Sequence, residues 1–175
     1  MSFCRLFVPK QAVGANLIYF DLWNPSGSGQ NLEILSVVPV VSGAVAVVGT
    51  LSVDLFLNRT TAIGTGGTAA TYGGTSLTAL TFSAQSGSGA QAKGLSARLT
   101  PSGGATAGEV LSWCSVFTEE TSSAAYVPQL DLARQWGGDF PGIMVSQGSG
   151  ISVVQGAVAS VGNIGFNVIF RAQRL

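Results

Sequence analysis

The chain has 175 residues, of which 46% are apolar and only 9% charged, with eight cations balancing eight anions and no histidine. That length suits one domain with a sizeable core, and the charge content is far below the roughly one quarter of ordinary soluble domains. Scattered Lys10, Lys93 and arginines exclude a nucleic-acid groove, which needs clustered cations to displace counterions, while zero net charge leaves nothing to repel a second copy.

Cys4 to Val8 is a short apolar run stopped by Pro9. It reads as an edge strand or as an arm laid on a neighbour, so residues 1–9 are set apart from a domain spanning 10–175. A single early charge and a few apolar residues before Pro9 and Lys10 do not make a secretory signal. Leu17 to Trp23 is bulky, aromatic and β-favouring. The following Asn24 to Gln30 is strong turn chemistry. Leu32 to Val41 alternates and then becomes apolar on both parities, which predicts a far end buried on both faces. Pro39 cannot donate to a ladder and belongs at an edge or a bulge.

Leu51 to Arg59 is the clearest element. Leu51, Val53, Leu55 and Leu57 share one parity, while Ser52, Asp54, Phe56 and Asn58 share the other, which predicts a strand with a dry and a wet face. Val45 and Val47 carry the pattern upstream across a bulge at Gly49. Thr60 to Thr78 is almost all small residues and reads as a long loop or a weakly packed strand. Leu80 to Ala84 is a short strand, and Leu95, Ala97 and Leu99 mark another. Glu109 to Thr118 is apolar on both parities, which predicts a mid-sheet strand with Trp113 in the core. Tyr126 to Trp136 fits a strand through Leu130, Leu132 and Trp136, or two turns of helix; the glycines that follow favour the strand. Gly142 to Val145 and Ile151 to Gln155 are short strands. Ile164, Phe166, Val168 and Phe170 point inward from the last strand, with Gly165, Asn167 and Arg171 outward.

Eight to ten strands without helical crossovers predict an all-β, single-domain antiparallel sandwich. No run of about 18 apolar residues exists to cross a membrane. Cys4 and Cys114 are too few for a disulfide framework, or for a metal site without histidine; one Cys4–Cys114 bridge stays open, and free, mostly buried thiols are the expectation.

No catalytic constellation is visible. The absence of histidine excludes Ser–His and Cys–His pairs, and Lys10 and Lys93 lie in no recognisable motif. Asp21, Asp54, Asp131, Asp139, Glu109, Glu119 and Glu120 are candidates for glycoside hydrolysis, but no pair is placed as acid–base work requires, and the aspartates read more simply as structural or solvated and Glu119 and Glu120 as closing a turn. The glycine runs at Gly64 to Gly67 and Tyr72 to Gly74 lack the strand-to-helix setting of a phosphate loop. No cofactor or metal is therefore expected. Trp136 and Phe140, on a glycine-rich loop, are aromatic residues of the kind enriched at protein interfaces rather than at a sugar platform.

Three stretches carry a resemblance: Leu22 to Ile34 around the turn Asn24-Pro25-Ser26-Gly27-Ser28-Gly29, Leu55 to Thr61 with Gly64 to Thr68, and Gly142 to Val153. Together they resemble small virion structural proteins of tailed bacteriophages, β-sandwich and jelly-roll-like proteins that decorate or cement the capsid or form head fibres. The resemblance covers about a third of the chain and consists mostly of turn chemistry. It implies a non-enzymatic shell component, assembled in a host cytoplasm and working in the virion. Its partners would be itself, as a homotrimer, and the major capsid or another virion protein. The alternative is a head or tail fibre, or a module binding a host-surface glycan. Within this reading the apolar segment Met1 to Pro9 is the arm, touching neighbours through Phe3, Leu6 and Phe7, and Trp136 with Phe140 forms a second contact.

Overall fold

The computed structural model describes residues 2–41, 51–73, 78–84, 94–103, 107–118, 130–134 and 141–175. Among them the strands are, in order, β1 (Ser2–Ala12), β2 (Ile18–Asn24), β3 (Gln30–Val41), β4 (Leu51–Thr60), β5 (Thr68–Ala69), β6 (Thr71–Tyr72), β7 (Thr81–Ala84), β8 (Ser96–Leu99), β9 (Ala107–Thr118), β10 (Ile143–Val145), β11 (Ser149–Gln155) and β12 (Asn163–Arg174). One six-stranded sheet runs β10-β3-β12-β1-β7-β6 and the other β5-β8-β2-β11-β4-β9. All pairings are antiparallel except the short β6–β7 contact.

Eight of these strands make the frame. β1, β12, β3 and β10 lie in one sheet and β2, β11, β4 and β9 in the other, so the chain changes sheet at each step except β4 to β9. With β12 between β1 and β3, and β11 between β2 and β4, this is the double Greek key of a jelly roll. β5 to β8 are an insertion between β4 and β9 that extends the β1 and β2 sides. It crosses from one sheet to the other within five residues, held by Ala70 N–H to Ala97 O at 2.9 Å and Thr71 N–H to Leu80 O at 3.0 Å.

Burial follows strand parity where one face packs. Val53, Leu55 and Leu57 of β4 and Ile164, Phe166, Val168 and Phe170 of β12 are buried in one core, as are Leu95, Ala97 and Leu99. The side chain of Leu51 lies outside the described part, as does Gly49. Tyr19 is the extra residue of a bulge where β2 pairs Phe20 with Val153 and Ile18 with Val154. It turns into the core, packs edge-on against Phe166 with centroids 5.2 Å apart, and donates its hydroxyl to Gln155 Oε1 at 2.7 Å. Gly165 is required by close approach: a Cβ there would lie 2.6 Å from Val8 O, where β1 bulges past Pro9.

Five expectations are corrected. β1 is neither a detached arm nor an edge strand, because it pairs with β12 along its length and with β7 over Cys4 to Phe7. Without the insertion it would be the outer strand of its sheet, and β7 covers that edge. β9 is not mid-sheet but last in its sheet among the described residues. Leu130–Arg134 is a turn rather than a strand, fixed by Leu132 N–H to Val37 O at 2.9 Å and Arg134 N–H to Asp131 O at 3.1 Å. β3 is buried on both parities at its near end, Leu32 to Ile34, because Glu33 is covered by Arg171; its far end alternates. The outer face of β4 is wet only at Ser52 and Asp54, since Asn58 and Thr60 are buried.

Candidate functional site

Of the residues expected at an interface, the described ones, Phe3, Leu6 and Phe7, do not share one face. Phe3 and Phe7 stand on the outer face of the first sheet, Phe3 40% exposed and Phe7 half-buried. The Arg5 guanidinium lies 5.9 Å from the Phe7 ring centroid, a cation–π contact. Leu6 has the opposite parity and is fully buried, so it cannot touch a neighbour. Trp136 and Phe140 lie outside the described residues, as do Lys93, Glu119, Glu120 and Asp139.

Trp113, expected in the core, is instead an exposed aromatic. It is 57% exposed on β9, and Val110 on the same strand is 54% exposed. Register explains the reversal. Leu57 opposes Ser112 and Asn58 opposes Val110, so Leu111 is bulged, and the face shared by Ser112, Cys114 and Val116 turns inward. Trp113 is thereby placed outward beside Phe56, with ring centroids 6.5 Å apart and planes inclined by 24°. The row continues across the sheet as Trp113, Phe56, Val154 and Ile18. The charge on β9 is Glu109, 3.8 Å from Arg59. From Val110 to Thr118 the strand carries neither charge nor proline, two of the devices that usually blunt an edge.

Among the described residues the carboxylates lie on separate elements. Asp54 is exposed and accepts the Ser115 hydroxyl at 2.5 Å. Asp131 organises its turn, accepting from Ser36 Oγ at 2.6 Å, Val37 N–H at 2.8 Å and Ala133 N–H at 3.0 Å. Asp21 is buried on β2, its oxygens accepting Gly64 N–H at 2.6 Å and Arg98 N–H at 2.9 Å. Burial pushes its carboxyl above the ordinary range, and those two bonds and the Arg98 charge only partly oppose it. Asp21 is level with Asn58 across two strand spacings, four residues from Asp54, which places the two acids about 17 Å apart by strand geometry. A glycosidase pair needs about 5–9.5 Å. Glu33, buried on β3, accepts from Arg171 through Nε at 2.8 Å and through Nη2, and from Gln173 Nε2 at 2.9 Å.

Both cysteines are free and buried, Cys4 facing inward from β1 and Cys114 from β9. Burial raises both thiols, and for Cys114 burial and the nearby Asp54 charge push it up to about 11. Neither is a nucleophile at neutral pH in this setting. Among the described residues no three His, Cys, Asp or Glu side chains cluster, and no helix is long and apolar enough to cross a membrane.

Two of the stretches that carried the resemblance meet in space. The Asn24 to Gln30 turn joins β2 to β3, and Gln147 from the β10–β11 turn accepts Gly27 N–H at 2.8 Å through its Oε1. Asn24 Nδ2 donates to Gln30 O at 2.9 Å and to Val145 O at 3.3 Å, tying the same two turns together. β10 and β11 are consequently not a hairpin but a crossing between sheets. No protein-family model, curated protein or solved structure matches the chain.

Proposed function

We propose that this chain is a non-enzymatic structural protein of a tailed-bacteriophage virion, a capsid decoration or cement subunit that acts by associating with itself and with the shell. The observation that carries the reading is the β9 edge: Trp113 and Val110 stand exposed on a strand without charge from Val110 to Thr118. A sheet edge of this kind is a template for another chain, and an exposed tryptophan is the residue type that most often anchors protein interfaces. The jelly roll recurs in viral capsid domains and in lectins, a likeness of architecture that raises the prior without deciding function. The turn motifs supply the phage assignment, and the trimer expectation follows from that assignment and from closed symmetry.

Phe3 and Phe7 offer a second apolar surface on the opposite sheet, suited to the shell while β9 serves a neighbouring copy. The test is sedimentation of the purified chain at micromolar concentration, followed by co-sedimentation with capsids. The reading expects a homo-oligomer that Trp113→Ala weakens, and capsid attachment. Glycan-array binding lost on Trp113→Ala would instead favour the host-surface alternative, because an exposed tryptophan can also stack on sugar. Turnover of a glycoside or peptide substrate, abolished by a single Asp→Asn change, would overturn the non-enzymatic reading.

A further inference from the structure

Arg5 of β1 is a cation left without a carboxylate. It stands on the outer face of the first sheet between Phe3 and Phe7, which share its parity. Its cross-strand neighbours are Ile169 on β12 and Ser83 on β7. None of β1, β7 and β12 contains an acidic residue. Two acids lie farther off on β3 or beside it, and both are engaged. Glu33, across Arg171 from Phe3, accepts from Arg171 and Gln173. Asp131, bonded to Ser36 beyond Ile169, also accepts from Val37 and Ala133 of its own turn.

Among the described residues the other half-buried arginines each face a carboxylate: Arg59 has Glu109, Arg98 has the charge of Asp21, and Arg171 has Glu33. Arg5 has the Phe7 ring, and its Nε is buried without a hydrogen-bond partner. The guanidinium is thereby seated against the face by its Nε side, which leaves the two Nη nitrogens to meet a partner. Side by side, they match the two oxygens of a carboxylate. Phe3, Phe7, Ile169 and, across Asn167 from Phe7, Val38 supply apolar surface around it. An arginine ringed by apolar side chains that shut out water is the usual anchor of a protein interface.

Resting on the shell reading above, we propose that this face docks another protein through a carboxylate side chain flanked by apolar residues, the carboxylate accepting from the two Nη nitrogens of Arg5. Charge complementarity selects the acid, and the apolar surround selects its neighbours. A second copy of this chain does not fit the role. Each of its described carboxylates is engaged at home, Asp54 with Ser115, Glu109 with Arg59, and Asp21, Glu33 and Asp131 as above.

The test uses the full chain in two measurements. In co-sedimentation with capsids, Arg5→Ala should weaken binding at least about tenfold, as truncation of one member of a desolvated pair does. Its Tm should be unchanged or higher, because the variant removes an unpartnered buried N–H. Arg5→Lys keeps the charge and loses the fork, so its binding should fall between the two. The second measurement follows the side-chain ¹⁵N signals of Arg5 during titration with a capped leucine–glutamate–phenylalanine tripeptide to about 10 mM, a range that reaches weak single contacts. They should move with this peptide and stay in place with its glutamine counterpart. Capsid binding that Arg5→Ala leaves intact, or that Arg5→Lys keeps at the wild-type level, overturns the proposal. So does a peptide response that is absent or equal for the two peptides. A wild-type chain that binds no capsid sinks the shell reading, and the peptide titration alone then decides whether Arg5 is a carboxylate dock.

Discussion

The outer face of the second sheet is two surfaces that share the three strands β2, β11 and β4. At one end the row Arg98, Asp21, Ser152 and Asn58 is polar; Arg98 is half-buried and the other three are buried, with Gly64 of the segment after β4 bonded to Asp21. At the other end the row Ile18, Val154, Phe56 and Trp113 is apolar, half-buried at the first three and exposed at Trp113 on β9. This inverts the usual arrangement, in which polar groups face water and apolar groups are covered. A buried polar row points to specificity, whereas an apolar row that ends in an exposed tryptophan at an edge points to a partner. The two ends should therefore answer different perturbations: the polar end should change stability, the open end association.

The largest effects are expected where neither end is involved. Leu55→Ala should cost roughly 2–5 kcal/mol in denaturant unfolding, because it leaves a cavity between the sheets; a loss below about 1 kcal/mol would mean that the inward face of β4 is misassigned. Arg171→Ala should cost roughly 3 kcal/mol or more by leaving the buried Glu33 carboxylate without its cation.

Next in size is the open end. Trp113→Ala should lower self-association at least tenfold while changing monomer stability by less than about 1 kcal/mol, since little burial is lost at an exposed site. Equal losses of stability and association would show that Trp113 serves the fold. Phe3→Ala should leave self-association intact and weaken capsid attachment.

The smallest effect belongs to the polar end and has a definite sign. Because the folded state raises the Asp21 carboxyl, it binds that proton more readily than the unfolded chain does. The associated stability is fully present below the unfolded value of 3.8 and is lost as pH rises through the raised folded value. The stability of wild type minus that of Asp21→Asn should therefore grow as pH falls from neutrality. A difference that shrinks would mean that the backbone donors outweigh burial.

How much could be read beforehand follows the same division. β4 and β12 were legible because one parity is apolar and packs on one core. β8 was legible for the same reason, through Leu95, Ala97 and Leu99. Parity also contained the error about Leu6: Phe3 and Phe7 share a face and Leu6 does not, so the three could never meet one partner. Trp113 was not legible. β9 has apolar residues on both parities, and its inward face is chosen by a bulge at Leu111 and by register with β4, neither of which is a property of the strand alone. The buried polar row was hidden more deeply, since Asp21, Asn58, Thr60 and Ser152 come from three strands and Gly64, which donates to Asp21, from the segment after β4. The one local signal was the alternation of β4, which marked Asn58 as outward and gave no hint that the outward face would be covered.

Sedimentation velocity of wild type and Trp113→Ala, side by side across about 1–50 μM, a range chosen to span typical protein–protein affinities, tests the central claim most directly. The account predicts a wild-type oligomer and a variant displaced towards a folded monomer at every concentration. A wild-type chain that remains monomeric throughout and also fails to bind capsids would contradict it.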